Sequence, residues 1–369
     1  MRLSRLEVSG VRNISFLSIE CNANLNLFVG PNGAGKSAIL ESIYLLGRSR
    51  SFRSPSLATV IQHGNPWLRI LAYLDDEQRG RLPIRLARHR SGKSELQVAD
   101  RHERRASEVA RLMPIQLMLP DASNIVFGGP EDRRRLLDWG TFHVKPPYLD
   151  ALRDFQRALQ QRNASLRSAN GRDSNLDSEE RAWTARLVDT ARVVDDLRRW
   201  YLERLLPAID VQMKELAPEF GIAASYYPGW PTTAGLQDSL GESRARDVKS
   251  GATSFGPHRA DLRLEVGSQR AAATLSRGQA KIVASAIRLA QAQLTADLGG
   301  RRSIFLIDDV GAELDQVHNE HLFAALERLD CQVFATATVA PRLTAAFSGP
   351  KRKLFHVEQG ACRPIGTEE

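Results

Sequence analysis

Gly30-Pro31-Asn32-Gly33-Ala34-Gly35-Lys36-Ser37 is the stretch on which the reading of this chain turns. Its spacing is G-x-x-x-x-G-K-S, a phosphate-binding loop when a strand precedes it and a helix follows. Both flanks agree. Leu25-Asn26-Leu27-Phe28-Val29 is a short apolar run that predicts a strand, and Ala38 to Leu46 carries apolar residues at helical spacing. Gly30, Gly33 and Gly35 let the backbone bend so that several N–H groups converge on a triphosphate. The new helix adds its positive end, Lys36 reaches the β- and γ-phosphates, and the Ser37 hydroxyl can sit on Mg²⁺. The stretch predicts a nucleoside-triphosphate site.

Such a loop needs an acidic partner. Ser303-Ile304-Phe305-Leu306-Ile307-Asp308-Asp309 supplies an apolar strand ending in two carboxylates. Asp308 is placed to hold Mg²⁺ through water, and Asp309 to orient or deprotonate the attacking water. Between loop and strand, Leu275-Ser276-Arg277-Gly278-Gln279-Ala280-Lys281 opens a helical run to about residue 298. Ser276 sits where an N-cap belongs, and Gly278 permits close backbone approach. By itself Ser-x-Gly-Gln is a common helix start.

The chain has 369 residues, 42% of them hydrophobic, enough for one large or two smaller domains with a sizeable core. No run of eighteen apolar residues exists, so no transmembrane span and no membrane partner are expected. Met1 to Leu6 lacks the apolar region of a signal peptide, which gives a cytoplasmic expectation. Cys21, Cys331 and Cys362 are few and far apart, and read as buried free thiols. The net charge of +8 suits a polyanion partner without requiring one.

Residues 2–8, 14–20 and 25–29 read as opening strands, and 67–74 and 81–88 as strands around a turn at 75–80. Nine Lys/Arg face three Asp/Glu over residues 79–105, with Arg81, Arg85, Arg88, Arg90 and Lys93 crowded on one hairpin. That hairpin is either a charge-protected sheet edge or a phosphate-contacting surface. Helices are predicted from Pro130, over 148–167 and over 179–217, with Pro207 kinking or breaking the last. At about 20 and 30 residues, roughly 30–45 Å, the last two can form a lobe but no long coiled-coil arm. Residues 168–178 read as a surface turn, and 228–255, rich in Pro, Gly, Ser and Thr, as a linker. The division expected is an ATPase head from 1–129 and 246–369, with an inserted helical lobe at 130–245.

The order of phosphate loop, helical insertion, L-S-x-G-Q, acidic strand and Leu314-Asp315 resembles the ABC-type ATPases. That resemblance implies an α/β head, a mixed sheet around the phosphate loop. It also implies an ATP-dependent homodimer in which Ser276, Arg277, Gly278, Gln279 and Asp315 of one copy touch the ATP of the other. A transporter-coupled ATPase would carry L-S-G-G-Q, a Glu after the first Asp and a His in the next strand. Here stand Arg277, Asp309 and the His-free Val333-Phe334-Ala335-Thr336-Ala337-Thr338. Asp309 is one methylene shorter than Glu, so turnover should be slow. An OLD-like ATPase-nuclease would need a further acidic metal cluster, and none follows Asp315.

Within the superfamily the chain resembles the RecF family, compact relatives of the SMC-type ATPases. The resemblance rests on Met1-Arg2-Leu3 leading to Arg12-Asn13, the loop 30–37, Gly129-Pro130-Glu131-Asp132-Arg133-Arg134-Arg135 through Trp139, and Gln161-Arg162-Asn163-Ala164. It continues in Gly256-Pro257-His258-Arg259-Ala260-Asp261, Leu275 to Lys281, and Ile307 to Asp315. It implies ATP and Mg²⁺ as cofactors, double-stranded and gapped DNA as ligand, RecR and RecO as partners, and help in loading RecA. It places Arg12 and Asn13 on the adenine side. The DNA surface expected is Arg81, Arg85, Arg88, Arg90, Lys93, Arg133, Arg134 and Arg135, with Arg162, Arg198 and Arg199 as further candidates.

Overall fold

The computed structural model describes residues 1–76, 80–99, 101–103, 105–121, 123–168, 174–310, 314–339 and 346–365, the side chains of 174–177 aside. Parts of three expected segments lie outside the described residues: 77–79 of the turn, 169–173 of the loop, and 311–313 beyond the acidic strand. The chain divides into two compact units, one of Met1–Ala122, Glu215–Pro218 and Ala284–Glu369, the other of Ser123–Lys214 and Glu219–Val283. Residues 246–283, assigned to the head from sequence, all fall in the helical unit in this division.

The first unit holds two six-stranded sheets. One is antiparallel, in the order Ile14–Glu20, Arg2–Val11, Trp67–Asp76, Gly80–His89, Ser94–Val98, Arg101–His102. The other is mixed, in the order Ala361–Ile365, Arg352–Glu358, Leu25–Val29, Gln332–Ala337, Ile304–Ile307, Ile115–Met118, and only its first strand is antiparallel. Strands 304–307 and 332–337 are buried at every position. Continuous apolar runs are what a parallel sheet covered on both faces requires. The helix Lys36–Arg48 shares one core with both sheets: Ile39, Leu40, Ile43 and Leu46 are at most 1% exposed.

Parallel strands deliver their carboxyl ends to one edge, where open α/β sheets place their ligands. Register fixes the neighbours there. Ile307 pairs with Ala335 and Val29 with Ala337, so residues 308 and 336 fall side by side close to the start of the phosphate loop.

The second unit contains the helices Pro130–Val144, Tyr148–Ser168 and Ser174–Leu216, and a three-stranded sheet in the order Gln269–Arg270, Asp261–Val266, Ala223–Tyr227. Pro130 sits at the first helical position with Glu131 and Asp132 behind it, as acids in a first turn should.

Three expectations are corrected here. The third helix is a single element of 43 residues, roughly 65 Å, longer than expected. Of the kink or break expected at Pro207, the break is excluded, since Pro207 lies inside that helix without ending it. Tyr201, Leu202 and Leu205 before it and Ala208, Ile209 and Met213 after it are all buried, which offsets the roughly 3 kcal/mol of a lost hydrogen bond and ring clash. Finally, 228–255 is no linker. It folds into the helices Gly235–Glu242 and Arg244–Ser250, and Trp230, Leu236 and Leu240 pack with Tyr148, Phe155 and Leu187. No helix among the described residues is long and apolar enough to cross a membrane.

Candidate functional site

The phosphate loop leaves the strand Leu25–Val29 and enters the helix at Lys36. Gly35 is the N-cap at φ 112° and Gly33 stands at φ 80°, both in the left-handed region that favours glycine. At Gly30 the demand is steric, because a Cβ there would lie 2.1 Å from the Val357 carbonyl oxygen. At Gly33, which is exposed, a Cβ would meet nothing within 4 Å, so there the demand is for the positive φ alone.

Lys36 curls back over the loop. Its Nζ donates to the carbonyls of Gly30 at 2.8 Å and Pro31 at 2.9 Å, and the residue is 8% exposed. Burial draws its pKa below the usual lysine value, while Asp309 and Asp308 pull the other way. Ser37 Oγ donates to Asp308 Oδ1 at 2.9 Å, which joins the loop to the acidic strand within one compact unit. A hydroxyl and a carboxylate at this separation form a hard oxygen pair of the kind Mg²⁺ takes.

Sequence reading missed Thr336. Its Oγ1 donates to Asp308 Oδ1 at 2.7 Å and accepts the Asp309 N–H at 2.8 Å. Asp309 stands at φ 61°, uncommon for a residue with a side chain, so Thr336 both aims Asp308 and holds the strained peptide that follows it. The only sequence signal was a hydroxyl in a largely apolar strand, and its meaning needs the register. Thr336 is 1% exposed. Thr336→Val is expected to lower unfolding stability by about 1–3 kcal/mol in denaturant titrations, because the Asp308 carboxylate is left without that donor, and Thr336→Ser should restore most of it.

Of the pair expected on the adenine side, Arg12 grips Glu41 with two nitrogens, each at 2.8 Å, and donates to the Thr59 carbonyl. Glu41 is fully buried on the loop's helix, so Arg12 neutralises it. Asn13 Nδ2 donates to the Gly33 carbonyl at 3.2 Å. Arg12 thus ties the helix Lys36–Arg48 to the 57–59 turn, and Asn13 holds the phosphate loop.

In the second unit Ser276 and Gln279 form a reciprocal capping box. Ser276 N donates to Gln279 Oε1 at 3.0 Å, and Gln279 N to Ser276 Oγ at 3.2 Å. The helix Arg277–Gly299 starts there. Asp315 caps its own helix Gln316–Arg328, accepting from His318 N at 3.0 Å and meeting His318 Nδ1 at 2.7 Å; that backbone hydrogen bond holds its carboxyl below the usual range.

The candidate DNA arginines are placed very unevenly. Arg90 donates to the carbonyls of Ala58, Ile61, Gln62 and Asn65, and so ties the hairpin to the 58–65 loop. Arg88 is half-buried, and desolvation lowers its pKa. Arg81 lies 4.5 Å over the Tyr73 ring with Asp75 and Glu20 each 3.9 Å away, Arg85 reaches the Ala99 carbonyl, and Lys93 pairs with Glu95 at 3.2 Å. Arg133 is bound to Asp261 at 2.7 Å and to the Ile125 and Gly128 carbonyls, Arg134 donates to the Ala260 carbonyl, and Arg135 pairs with Glu131 and Asp132.

Arg162 and Arg198 are corrected outright: at 0% and 2% exposure neither can meet DNA. Arg162 binds Asp247, Thr253 and Thr184, while Asn163 accepts from Thr253 N and Oγ1. Arg198 holds Asp138 at 2.7 Å and the Pro257 carbonyl at 2.8 Å. Arg199 pairs with Asp195. His258 belongs to the same assembly: Nε2 meets the Thr253 carbonyl at 3.1 Å, and its ring stacks on Phe155. Burial pulls its pKa down to about 4, so it is neutral at pH 7. The helical unit's charged blocks thus grip segment 247–261.

Residues 2–361 match the family described as RecF/RecN/SMC N terminal domain. The chain is 38% identical to the DNA replication and repair protein RecF of Pseudomonas syringae pv. syringae (strain B728a) over 362 residues, 98% of this chain and 97% of that one. It is 39% identical to the RecF of Stutzerimonas stutzeri (strain A1501), covering 98% and 96%. Among solved structures, that of the recombination mediator protein RecF-ATP in the RecFOR pathway superposes with a TM-score of 0.86 at 22% identity, covering 99% of this chain and 98% of that one. The Smc head domain from Pyrococcus furiosus, bound to the C-terminal domain of ScpA, gives 0.61 at 16%, covering 99% and 96%. The fold is thus the ABC-type α/β ATPase head with an inserted helical lobe and, among the described residues, no long coiled coil, and the chain belongs to the RecF family of DNA replication and repair proteins.

Proposed function

We propose that this protein is an ATP-gated clamp on double-stranded DNA that acts in the cytoplasm in recombinational repair of gaps. ATP binding closes a homodimer on DNA, slow hydrolysis reopens it, and the clamp works with RecR and RecO to help load RecA. The observation that carries the reading is the 2.9 Å hydrogen bond between Ser37 Oγ and Asp308 Oδ1, which joins the loop and the acidic strand. Full-length similarity to RecF proteins supports the DNA half of the reading.

When bound, ATP supplies the γ-phosphoryl group and Mg²⁺ neutralises its developing charge. The loop N–H groups and Lys36 bind the phosphates, and Ser37 and Asp308 would hold the cation. Asp309 orients the attacking water. Ser276, Arg277, Gly278, Gln279 and Asp315 contact the nucleotide of the second copy. Thr336 acts through Asp308 and Asp309 rather than on the substrate. Enzymatically the protein is a weak ATPase used as a timer.

Asp309→Asn tests this directly. It keeps size and polarity but cannot take a proton, so ATP should still bind while the closed dimer persists. In sedimentation velocity with ATP and duplex DNA, the variant should stay dimeric for at least tenfold longer than the parent, whose general base is intact. A variant that sediments as a monomer in ATP would remove Asp309 from that role.

A further inference from the structure

The antiparallel sheet of the first unit has one covered face and one open face. Leu6, Val8, Leu17, Ile70, Ile84 and Leu86 turn into the core shared with the helix Lys36–Arg48. Alternation along the strands therefore sends Ser9, Phe16, Arg69, Leu71, Arg85 and Ala87 outward. The solvated face of such a sheet should be polar. This one is not: Phe16 is 67% exposed, and Trp67, Leu71 and Tyr73 share the outer side of the strand Trp67–Asp76. The face holds a groove of about 360 Å³, formed wholly within the first unit.

Register sets the pattern of the groove. Phe16 stands opposite Ser9, Ser9 opposite Arg69, and Arg69 opposite Ala87. In the next row Leu71 stands opposite Arg85. Arg69 and Arg85 are thus diagonal neighbours, Leu71 and Ala87 occupy the other diagonal, and Phe16 closes one end. Diagonal neighbours on a sheet lie about 7–8 Å apart, so the two guanidiniums repel. Neither meets a carboxylate among the described residues. Arg69 lies 5.9 Å from the centre of the Trp67 ring, and Arg85 donates to the Ala99 carbonyl at 3.3 Å. The carboxylates lining the groove are already paired, Glu7 with Arg5 at 2.6 Å and Glu95 with Lys93 at 3.2 Å.

Two unneutralised cations in an apolar groove suit a partner with a few local negative charges beside apolar groups. A nucleic-acid backbone is a poor match, because its charge is continuous: laid across the sheet, it would bring phosphates onto Glu7 and Glu95. Laid along the strands, it would meet Asp75, on the same outward side as Leu71 and Tyr73. A helix with an apolar stripe edged by Asp or Glu fits both features, and a helix packed on a sheet face is a stable layer arrangement. We propose that this outer sheet face is the docking surface for an acidic amphipathic helix of a partner protein, with Phe16 and Leu71 taking its apolar stripe and Arg69 and Arg85 its carboxylates. The surface shares no residue with the phosphate loop and is independent of the clamp reading.

The test is selection of phage-displayed random sixteen-residue peptides on the full chain, with counter-selection on Phe16→Ser. Enriched peptides should carry Leu, Ile or Phe at helical spacing, with Asp or Glu beside them. Fluorescence anisotropy then measures the leading peptide, fluorescein-labelled, against the parent and the variants. Phe16→Ser should weaken it at least tenfold, as loss of a central aromatic contact does. Arg69→Gln should weaken it about tenfold and reduce its sensitivity to NaCl, because one charged hydrogen bond is gone. Both side chains are exposed, and far-UV circular dichroism establishes that each variant is folded. Duplex binding with a non-hydrolysable ATP analogue, measured in parallel, should not change in either variant.

The proposal falls if the parent enriches no peptide beyond the Phe16→Ser control, or if the enriched peptides lack carboxylates. It falls equally if Arg69→Gln binds the leading peptide as the parent does. Displacement of that peptide by duplex DNA as readily as by its unlabelled form would give the face to nucleic acid, and loss of duplex binding in both variants would give it to the clamp. If the parent binds the peptide as described but ignores duplex DNA with the ATP analogue, the clamp reading falls and this one stands.

Discussion

Lys36→Ala is expected to abolish the ATP-dependent gain in duplex affinity while leaving the protein folded. Lys36 Nζ is held over the loop by two carbonyls 2.8 and 2.9 Å away, so the cation is already positioned where a triphosphate would enter. Hydrogen bonds to a charged group contribute roughly 1.5–3 kcal/mol each. Loss of two such bonds to phosphate should raise the dissociation constant for a fluorescent ATP analogue by at least a hundredfold. The fold should survive, because the residue opens the helix and alanine is a good helix former, with a loss of stability confined to the two loop-carbonyl hydrogen bonds. Lys36→Met, close in shape but uncharged, should behave like Lys36→Ala in the binding titration. A Lys36→Met variant that retained ATP-stimulated DNA binding would show that the charge is dispensable and would detach the loop from the gate.

What could be read without the structure was local. A strand, three glycines and a Lys-Ser at fixed spacing are short-range features, and the structure holds them within one strand–turn–helix. The capping box at Ser276 and Gln279 was half visible, because an N-cap needs only the residues beside it. Thr336 was not visible, since its role arises from the pairing of Ile307 with Ala335 and from nothing in its own neighbourhood. Segment 228–255 misled by composition. Its glycines and prolines suggested a linker, but Trp230, Leu236 and Leu240 bury enough apolar surface to fold it against the long helices.

The arginines misled for a related reason. A charged residue on a helix reads as solvent-facing, and Arg162 and Arg198 are instead among the largest fully buried side chains of the molecule. Pattern gives the residue type but not the carboxylate 85 positions away that makes burial tolerable. Within Gln161-Arg162-Asn163-Ala164, Arg162 and Asn163 lock segment 247–253.

Arg162→Ala is therefore expected to destabilise the helical unit and to do so through electrostatics. Arg162 Nη1 lies 3.0 Å from Asp247 Oδ2 and 2.8 Å from Thr253 Oγ1, Nε lies 2.8 Å from Thr184 Oγ1, and Glu180 completes the cluster at 3.5 Å. Asp247 is fully buried and Glu180 is 2% exposed. Glu180 keeps a second partner in Arg244 at 3.0 Å, whereas Asp247 keeps only Ser243, Ser254 and backbone donors. Removing the cation strands a buried carboxylate, which typically costs about 3–5 kcal/mol. For a unit of this size the melting transition should fall by roughly 10 °C or more in scanning calorimetry. Pairing Arg162→Ala with Asp247→Ala should recover part of the loss, because the stranded charge goes with its partner; Arg162→Lys should recover little, since one ammonium cannot reach three acceptors. Asp247→Ala added to Arg162→Ala with no recovery would make the defect a packing void. An Arg162→Ala protein that melts like the parent but binds duplex DNA more weakly would return Arg162 to the surface role its sequence suggested.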